Sequence, residues 1–253
     1  MKKDPSKIQE PSTTTQSEVE YRKNLELFFK NSEGSNIDKL LNFTKYVPRQ
    51  ALTKFISKYE IFQKVLNVQG SIFECGVYLG GGLMTWAQLS AILEPTNHQR
   101  KIVGFDTFSG FPSVSKKDNG KSVNSKKGGY TIDSYEDLKK CIALYNSNRF
   151  IGHVPKVYLQ KGDIVKTLPA YLKENPHTVV SLLYLDLDIF EPTKIAIELL
   201  LPRMPKGAII AFDELNHENW PGETLAVLET VGIKNLRIVR VPFGNFTSFA
   251  VIE

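Results

Sequence analysis

The stretch Ser71-Ile72-Phe73-Glu74-Cys75-Gly76-Val77-Tyr78-Leu79-Gly80-Gly81-Gly82 decides the fold. A short β-rich run breaks at a glycine loop, and helical spacing of apolar residues takes over from Leu83 to Leu93. That is a strand feeding a helix through a tight turn. A dinucleotide fingerprint would read Gly-x-Gly-x-x-Gly, because its second glycine lets backbone approach a pyrophosphate. Tyr78 stands at that second position. The spacing Glu-x-Gly-x-x-x-Gly instead suits a cofactor without a pyrophosphate, its aminoacyl tail over Gly76 and its ammonium near Glu74.

Four more apolar runs follow, Lys101 to Asp106, Lys156 to Lys161, Val179 to Asp186 and Ala208 to Asp213. Helical patterns lie between them at Tyr135 to Tyr145 and Thr193 to Leu200, with another after them at Glu223 to Thr230. Strands that are apolar throughout are buried on both faces, so the alternation predicts an α/β fold with a doubly wound, mostly parallel sheet. Leu236 to Val241 and Phe246 to Ile252 are joined only by Pro242-Phe243-Gly244-Asn245. That link is too short for a crossover helix, so an antiparallel hairpin completes a seven-stranded sheet. Upstream, Val19 to Lys30 and Arg49 to Leu66 carry helical spacing, with Leu52, Phe55, Ile56, Tyr59, Phe62, Val65 and Leu66 as a predicted buried stripe. The expected organisation is a flexible arm over residues 1–18 and one domain over 19–253, with a helical cap at 19–68 and an insertion at 110–134.

A chain of 253 residues, 42% of them hydrophobic, can bury a full core, which excludes general disorder and collagen. Cys75 and Cys141 give neither a disulfide framework nor a zinc quartet, and no apolar run approaches the roughly 18 residues of a membrane helix. The start, Met1 to Ser17, is polar and Thr/Ser-rich rather than basic then apolar, which points to a reducing cytoplasm. Lys and Arg total 32 against 27 Asp and Glu, a net charge of +5. Nearly all of the excess sits between Ser115 and Gly128, in Lys116, Lys117, Lys121, Lys126 and Lys127 against Asp118. That charge is either a solvated loop or a lid over an anionic substrate. Without basic residues at regular spacing and interleaved aromatics, no nucleic-acid partner is expected. Gly120-Lys121-Ser122 imitates the tail of a phosphate loop, but Ser115 replaces the first glycine and no apolar strand precedes it.

Ligands of a doubly wound sheet bind beyond the carboxyl ends of its strands. Asp106 ends the second strand where an acidic residue pairs with ribose hydroxyls, and Asp163, after Lys161-Gly162, could meet an adenine amino group. Any strand-to-turn corner also favours Gly and Asp. The fourth and fifth strands end in Asp186-Leu187-Asp188 and Asp213-Glu214, and strand alternation puts Asp186 and Asp188 on one face. Four crowded carboxylates resist ionisation unless a cation is shared, and oxygen-only ligands favour magnesium or a similar hard ion. The alternative reading makes these residues helix caps. His98, His153, His177 and His217 show no ligand spacing. A metal would acidify and orient an alcohol, and a carboxylate beside it would take the proton.

The segments Glu74-Cys75-Gly76-Val77, Phe105-Asp106-Thr107-Phe108-Ser109-Gly110-Phe111-Pro112, Asp186-Leu187-Asp188 and Asp213-Glu214, with Trp220-Pro221-Gly222-Glu223-Thr224, resemble the macrocin O-methyltransferase (TylF-type) family of class I methyltransferases. The likeness runs from about Arg49 to the C-terminus. It implies a Rossmann-like fold, S-adenosylmethionine as donor, a divalent cation such as Mg2+, and a sugar hydroxyl of a glycoside or polysaccharide precursor as acceptor. It further implies metal ligands Asp186, Asp213 and Glu214, and Asp188 or Asp186 as base. Apart from the resemblance, His217 is an alternative base, against its plainer reading as a surface residue in a polar loop. Donor contacts would come from Glu74, Cys75, Gly76, Val77, Tyr78, Gly80, Gly81, Asp106, Thr107, Ser109, Asp163, Ile164 and Asp186, under a mobile lid at Gly110 to Gly129. Leu79-Gly80-Gly81-Gly82 stands where many relatives have Arg-Gly-Gly-Ser, so the donor carboxylate would be held by helix amides or by Arg49. Tyr46-Val47-Pro48-Arg49 is a candidate acceptor wall, and a homo-oligomer is a possible assembly. Competing readings are a magnesium-dependent catechol or phenol methyltransferase, a nicotinamide-dependent oxidoreductase, and a sugar-binding module that has lost transfer.

Overall fold

A computed structural model describes residues 14–244 and 246–253. Five parallel strands, β1 (Ser71–Cys75), β2 (Ile102–Asp106), β3 (Val157–Lys161), β4 (Val180–Leu185) and β5 (Ile209–Phe212), form the body of one sheet. β6 (Val239–Arg240) and β7 (Ser248–Val251) complete it in the order β3-β2-β1-β4-β5-β7-β6. β7 runs antiparallel to both β5 and β6, so the expected hairpin stands, with a ladder shorter than its apolar pattern suggests. Asn245, in its connection, lies outside the described residues. The order reverses between β1 and β4, where register pairs Glu74 with Tyr184 and Cys75 with Leu185. A crevice opens there by topology alone.

Alternation sorts the strand residues onto two cores. Ile72, Ile102, Leu182, Tyr184, Ile209 and Ala211 meet α3 (Arg49–Val65) and α4 (Gly81–Leu93) through Ile61, Phe62, Val65, Leu83 and Trp86. Phe73, Cys75, Phe105, Leu183, Leu185 and Phe212 face the other side, against α6 (Ile164–Glu174), α7 (Phe190–Leu200) and α8 (Pro221–Glu229). α5 (Tyr135–Ser147) adds Leu138 and Tyr145 to the first core.

The N-terminal cap is α1 (Gln16–Asn31) and α2 (Asn36–Leu41), leading into α3. Residues 1–13 of the expected arm lie outside the described residues, whereas 16–18 form the first turn of α1, capped by Thr15 with Glu18 in a reciprocal box. The predicted stripe on α3 divides: Phe62 and Val65 are buried, Leu52 and Tyr59 are half-buried, and Phe55 and Ile56 are exposed. No helix among the described residues is long and apolar enough to cross a membrane.

Candidate active site

A cavity of about 760 Å³ lies at the carboxyl ends of β1, β2, β4 and β5. Its walls bring the glycine loop after β1 together with Asp186, Asp188, Asp213 and Glu214. Gly76 makes that meeting possible. At φ +96° its missing Cβ would lie 1.7 Å from the Asp186 carbonyl oxygen, so only glycine lets the two strand ends touch. The Asp186 N–H then donates to the Cys75 carbonyl at 2.8 Å.

Asp106, expected at a ribose, first holds the glycine loop. Its Oδ2 accepts the Val77 and Tyr78 N–H groups at 2.7 Å each, and its Oδ1 accepts the Phe108 N–H at 2.6 Å. Asp163 caps α6 by accepting the Val165 N–H at 3.1 Å, while lining the cavity with Ile164. Val77, Tyr78, Gly81 and Thr107 also line it. Cys75, Gly80 and Ser109 do not: Cys75 faces the opposite core, Gly80 starts α4, and Ser109 is exposed.

Glu74, expected to receive the donor ammonium, already faces an ammonium of its own chain. Lys58 Nζ lies 3.2 Å from Glu74 Oε2, 3.5 Å from the Tyr184 ring centre and 4.4 Å from that of Trp86. Burial pushes the Glu74 carboxyl upward and Lys58 opposes it. Neither Lys58 nor Lys54 stands out as functional in the sequence reading, although a signal exists. Positions 54, 58, 61 and 65 follow one helical face, so two lysines run on from the buried Ile61 and Val65.

At the acidic corner, β4 ends at Leu185, so Asp186 and Asp188 extend from a turn rather than from a pleated strand, and Asp188 adopts φ +61°. Strand alternation therefore does not align them. Both still line the cavity. Burial pushes both carboxyls well above the usual range, reinforced by Asp213 at Asp186 and by Asp186, Glu214 and Asp213 at Asp188, while Lys54 and Lys58 pull Asp186 back. The Tyr184 hydroxyl donates to Asp213 Oδ1 at 2.8 Å, and Lys54 Nζ lies 3.8 Å from Asp213 Oδ2. Behind them, Glu223 Oε1 accepts the Glu214 N–H at 3.2 Å, and Glu223 Oε2 is buried with no partner. Oxygen-only donors lining one cavity, beside the buried Glu223 Oε2, suit a hard divalent cation in kind. Among the described residues no three Asp, Glu, His or Cys side chains converge as a ready metal-binding group. His217 does not line the cavity; its Nδ1 accepts the Asn219 N–H at 3.2 Å and its ring stands edge-on to Phe246.

Residues 110–134 form one wall. Phe111 and Tyr130 line the cavity and pack on the buried Trp220, with ring centres 5.7 and 5.5 Å apart. Two of the loop lysines are engaged by the body of the chain, Lys117 with Glu229 and Lys121 with Glu218, each at 2.6 Å. On the cap, Val47, Leu52 and Phe55 face the cavity, whereas Arg49 is exposed and stands off its lining.

The family model of macrocin O-methyltransferases (TylF) matches residues 47–231. Two crystal structures of CalS11 are similar over nearly the whole length. The calicheamicin methyltransferase form is 34% identical, covers 94% of this chain and 93% of its own, and has a TM-score of 0.90. The apo form, described as a TDP-rhamnose 3'-O-methyltransferase, is 34% identical over 94% of this chain and 95% of its own, with a TM-score of 0.82. The O-methyltransferase NovP shares the fold at 17% identity, 79% coverage of each chain and a TM-score of 0.60. A sequence search of curated proteins finds no match.

Proposed function

This chain belongs to the macrocin O-methyltransferase (TylF) family, and on that premise we propose that it transfers a methyl group from S-adenosylmethionine to a sugar hydroxyl, with a divalent cation at the acidic corner. The observation that carries this reading is the single cavity in which the glycine loop after β1 and the carboxylates after β4 and β5 share one wall, in contact through Gly76 and Asp186. Donor and acceptor placed there are adjacent, and much of the rate of a direct displacement comes from such placement. The nearby CalS11 acts on TDP-rhamnose, which supports a nucleotide-linked sugar as the acceptor class.

Each residue has a task in this reading. The loop at Gly76, Val77 and Tyr78, pinned by Asp106, cradles the donor's aminoacyl and ribose parts. Asp163 and Ile164 flank the adenine. Glu74 is neutralised by Lys58, so it shapes the floor rather than serving as the donor's counter-charge. Asp186, Asp213 and Glu214 would hold the cation, and the Tyr184 hydroxyl, bonded to Asp213 Oδ1, orients that carboxylate. The cation, when bound, supplies positive charge that makes the acceptor hydroxyl more acidic. Asp188 takes the proton; burial and its acidic neighbours raise its affinity for one. Phe111 and Tyr130 exclude water above the reacting groups.

An acceptor screen with methyl-labelled donor, run with and without Mg2+, tests the proposal. Cation-dependent label transfer to nucleotide-linked or glycosidic sugars is expected. Transfer to catechols alone would replace the sugar by a phenol.

A further inference from the structure

Helix α7 starts at Phe190, and its N-cap residue is Ile189, which has no oxygen to offer and makes no side-chain cap. The first N–H groups of a helix need partners from outside it. One comes from a residue 72 positions earlier in the chain. Asp118, only 2% exposed in a lysine-rich surface loop, accepts the Phe190 N–H on Oδ1 at 2.5 Å. Its Oδ2 accepts the Ser115 N–H and hydroxyl at 2.6 and 2.8 Å. Its own carbonyl accepts from the Gly120 N–H and the Ser125 hydroxyl, so the loop is folded around this residue.

The junction has no slack. A Cβ on Gly222, in the first turn of α8, would lie 2.3 Å from Asp118 Oδ1, 2.6 Å from the Phe190 nitrogen and 3.0 Å from the Asp188 carbonyl oxygen. The loop, the start of α7, the first turn of α8 and the turn carrying Asp188 therefore meet at one point where a side chain does not fit. Asp188 is two residues from the capped nitrogen and has a left-handed backbone, φ +61°, that a non-glycine residue keeps only when its surroundings impose it.

We propose that Asp118 is a positioning residue for methyl transfer: by capping α7 from the 110–134 wall it latches that wall shut and fixes the turn that presents Asp188. The inference rests on the reading of Asp188 as proton acceptor. It predicts that the wall and the base are ordered together, so that an opened wall also disorders the base.

The test compares Asp118→Ala and Gly222→Ala, the second driving a methyl group into the carboxylate, with Lys121→Ala, which removes only an exposed ion pair. Phe190 amide hydrogen exchange, limited proteolysis between Ser113 and Gly128, donor Kd by calorimetry, and kcat are read for each. Both junction variants should exchange at Phe190 and be cleaved about tenfold faster, the worth of one helix cap. Their kcat should fall at least as far while donor Kd moves less than about threefold. Asp118→Asn keeps an acceptor oxygen and should recover part of kcat, and Lys121→Ala should match the unaltered chain. Faster exchange with unchanged kcat would reduce Asp118 to a fold staple, and unchanged exchange would remove the cap altogether. If the unaltered chain methylates no sugar while Phe190 exchange still responds, the functional reading fails and the cap survives.

Discussion

Asp106 shows how one carboxylate serves structure before chemistry. Three backbone N–H groups end on it, and each would be orphaned in Asp106→Ala at about 1–3 kcal/mol if left buried. Donor affinity should therefore drop at least tenfold as the loop loosens; calorimetric titration with S-adenosylmethionine checks this, and an unchanged Kd would remove Asp106 from the donor site. Lys156 gives a pH signature remote from the site. Burial brings its ammonium down to about 8, against about 10.4 in an unfolded chain. The folded chain loses that proton first, so the penalty is full below pH 8 and lifts as pH rises toward the unfolded value. Relative to Lys156→Met, the unaltered chain should gain stability between pH 8 and 10, read from urea midpoints. A constant difference across that range would contradict the burial argument. Glu74 was legible as a site residue, but its partner was not, because Lys58 reaches it from a separate helix.

Among the elements, α3 both closes the first core and carries Lys54 and Lys58 to the carboxylates. Its C-terminus is held by a residue from outside the helix. Arg100 Nη2 donates to the carbonyls of Val65, Leu66 and Val68 at 3.0–3.2 Å, and Nη1 donates to Gly70 and to the Ser181 hydroxyl. Its Nε bonds Glu94. Arg100→Met leaves the half-buried Glu94 carboxylate without its counter-charge, though Ser90 and Asn97 still bond it, and leaves several carbonyls without this donor, and should cost about 3–5 kcal/mol in denaturant unfolding; a loss below 1 kcal/mol would show that the carbonyls find other partners. Of the helices that link the parallel strands, the sequence reading missed α6. Pro169 sits inside it, and a proline there removes a helical hydrogen bond. Burial of Ile164, Leu168, Tyr171 and Leu172 outweighs that local cost; their i, i+4, i+7, i+8 spacing is the helical signal, and the proline masks it.

At the scale of the whole molecule, the glycine loop and the acidic corner come from opposite sides of the β1/β4 switch point and form one cavity. Removing one partner should therefore separate binding from transfer. Asp213→Ala is expected to abolish cation-dependent turnover and leave donor Kd within about threefold, as measured by label transfer with and without chelator alongside calorimetry. Transfer that persists in chelator-treated variant protein would refute the cation assignment. The sequence by itself determined the α/β alternation, the parallel body with its antiparallel end, and which carboxylates stand at strand ends. Those features follow from side-chain period and turn chemistry, which are local. Only the tertiary structure decided that Lys58 answers Glu74, that Asp106 pins the loop, and that Asp118 reaches α7. Each of those pairs joins residues far apart in the chain, and burial in a shared interior sets their partners.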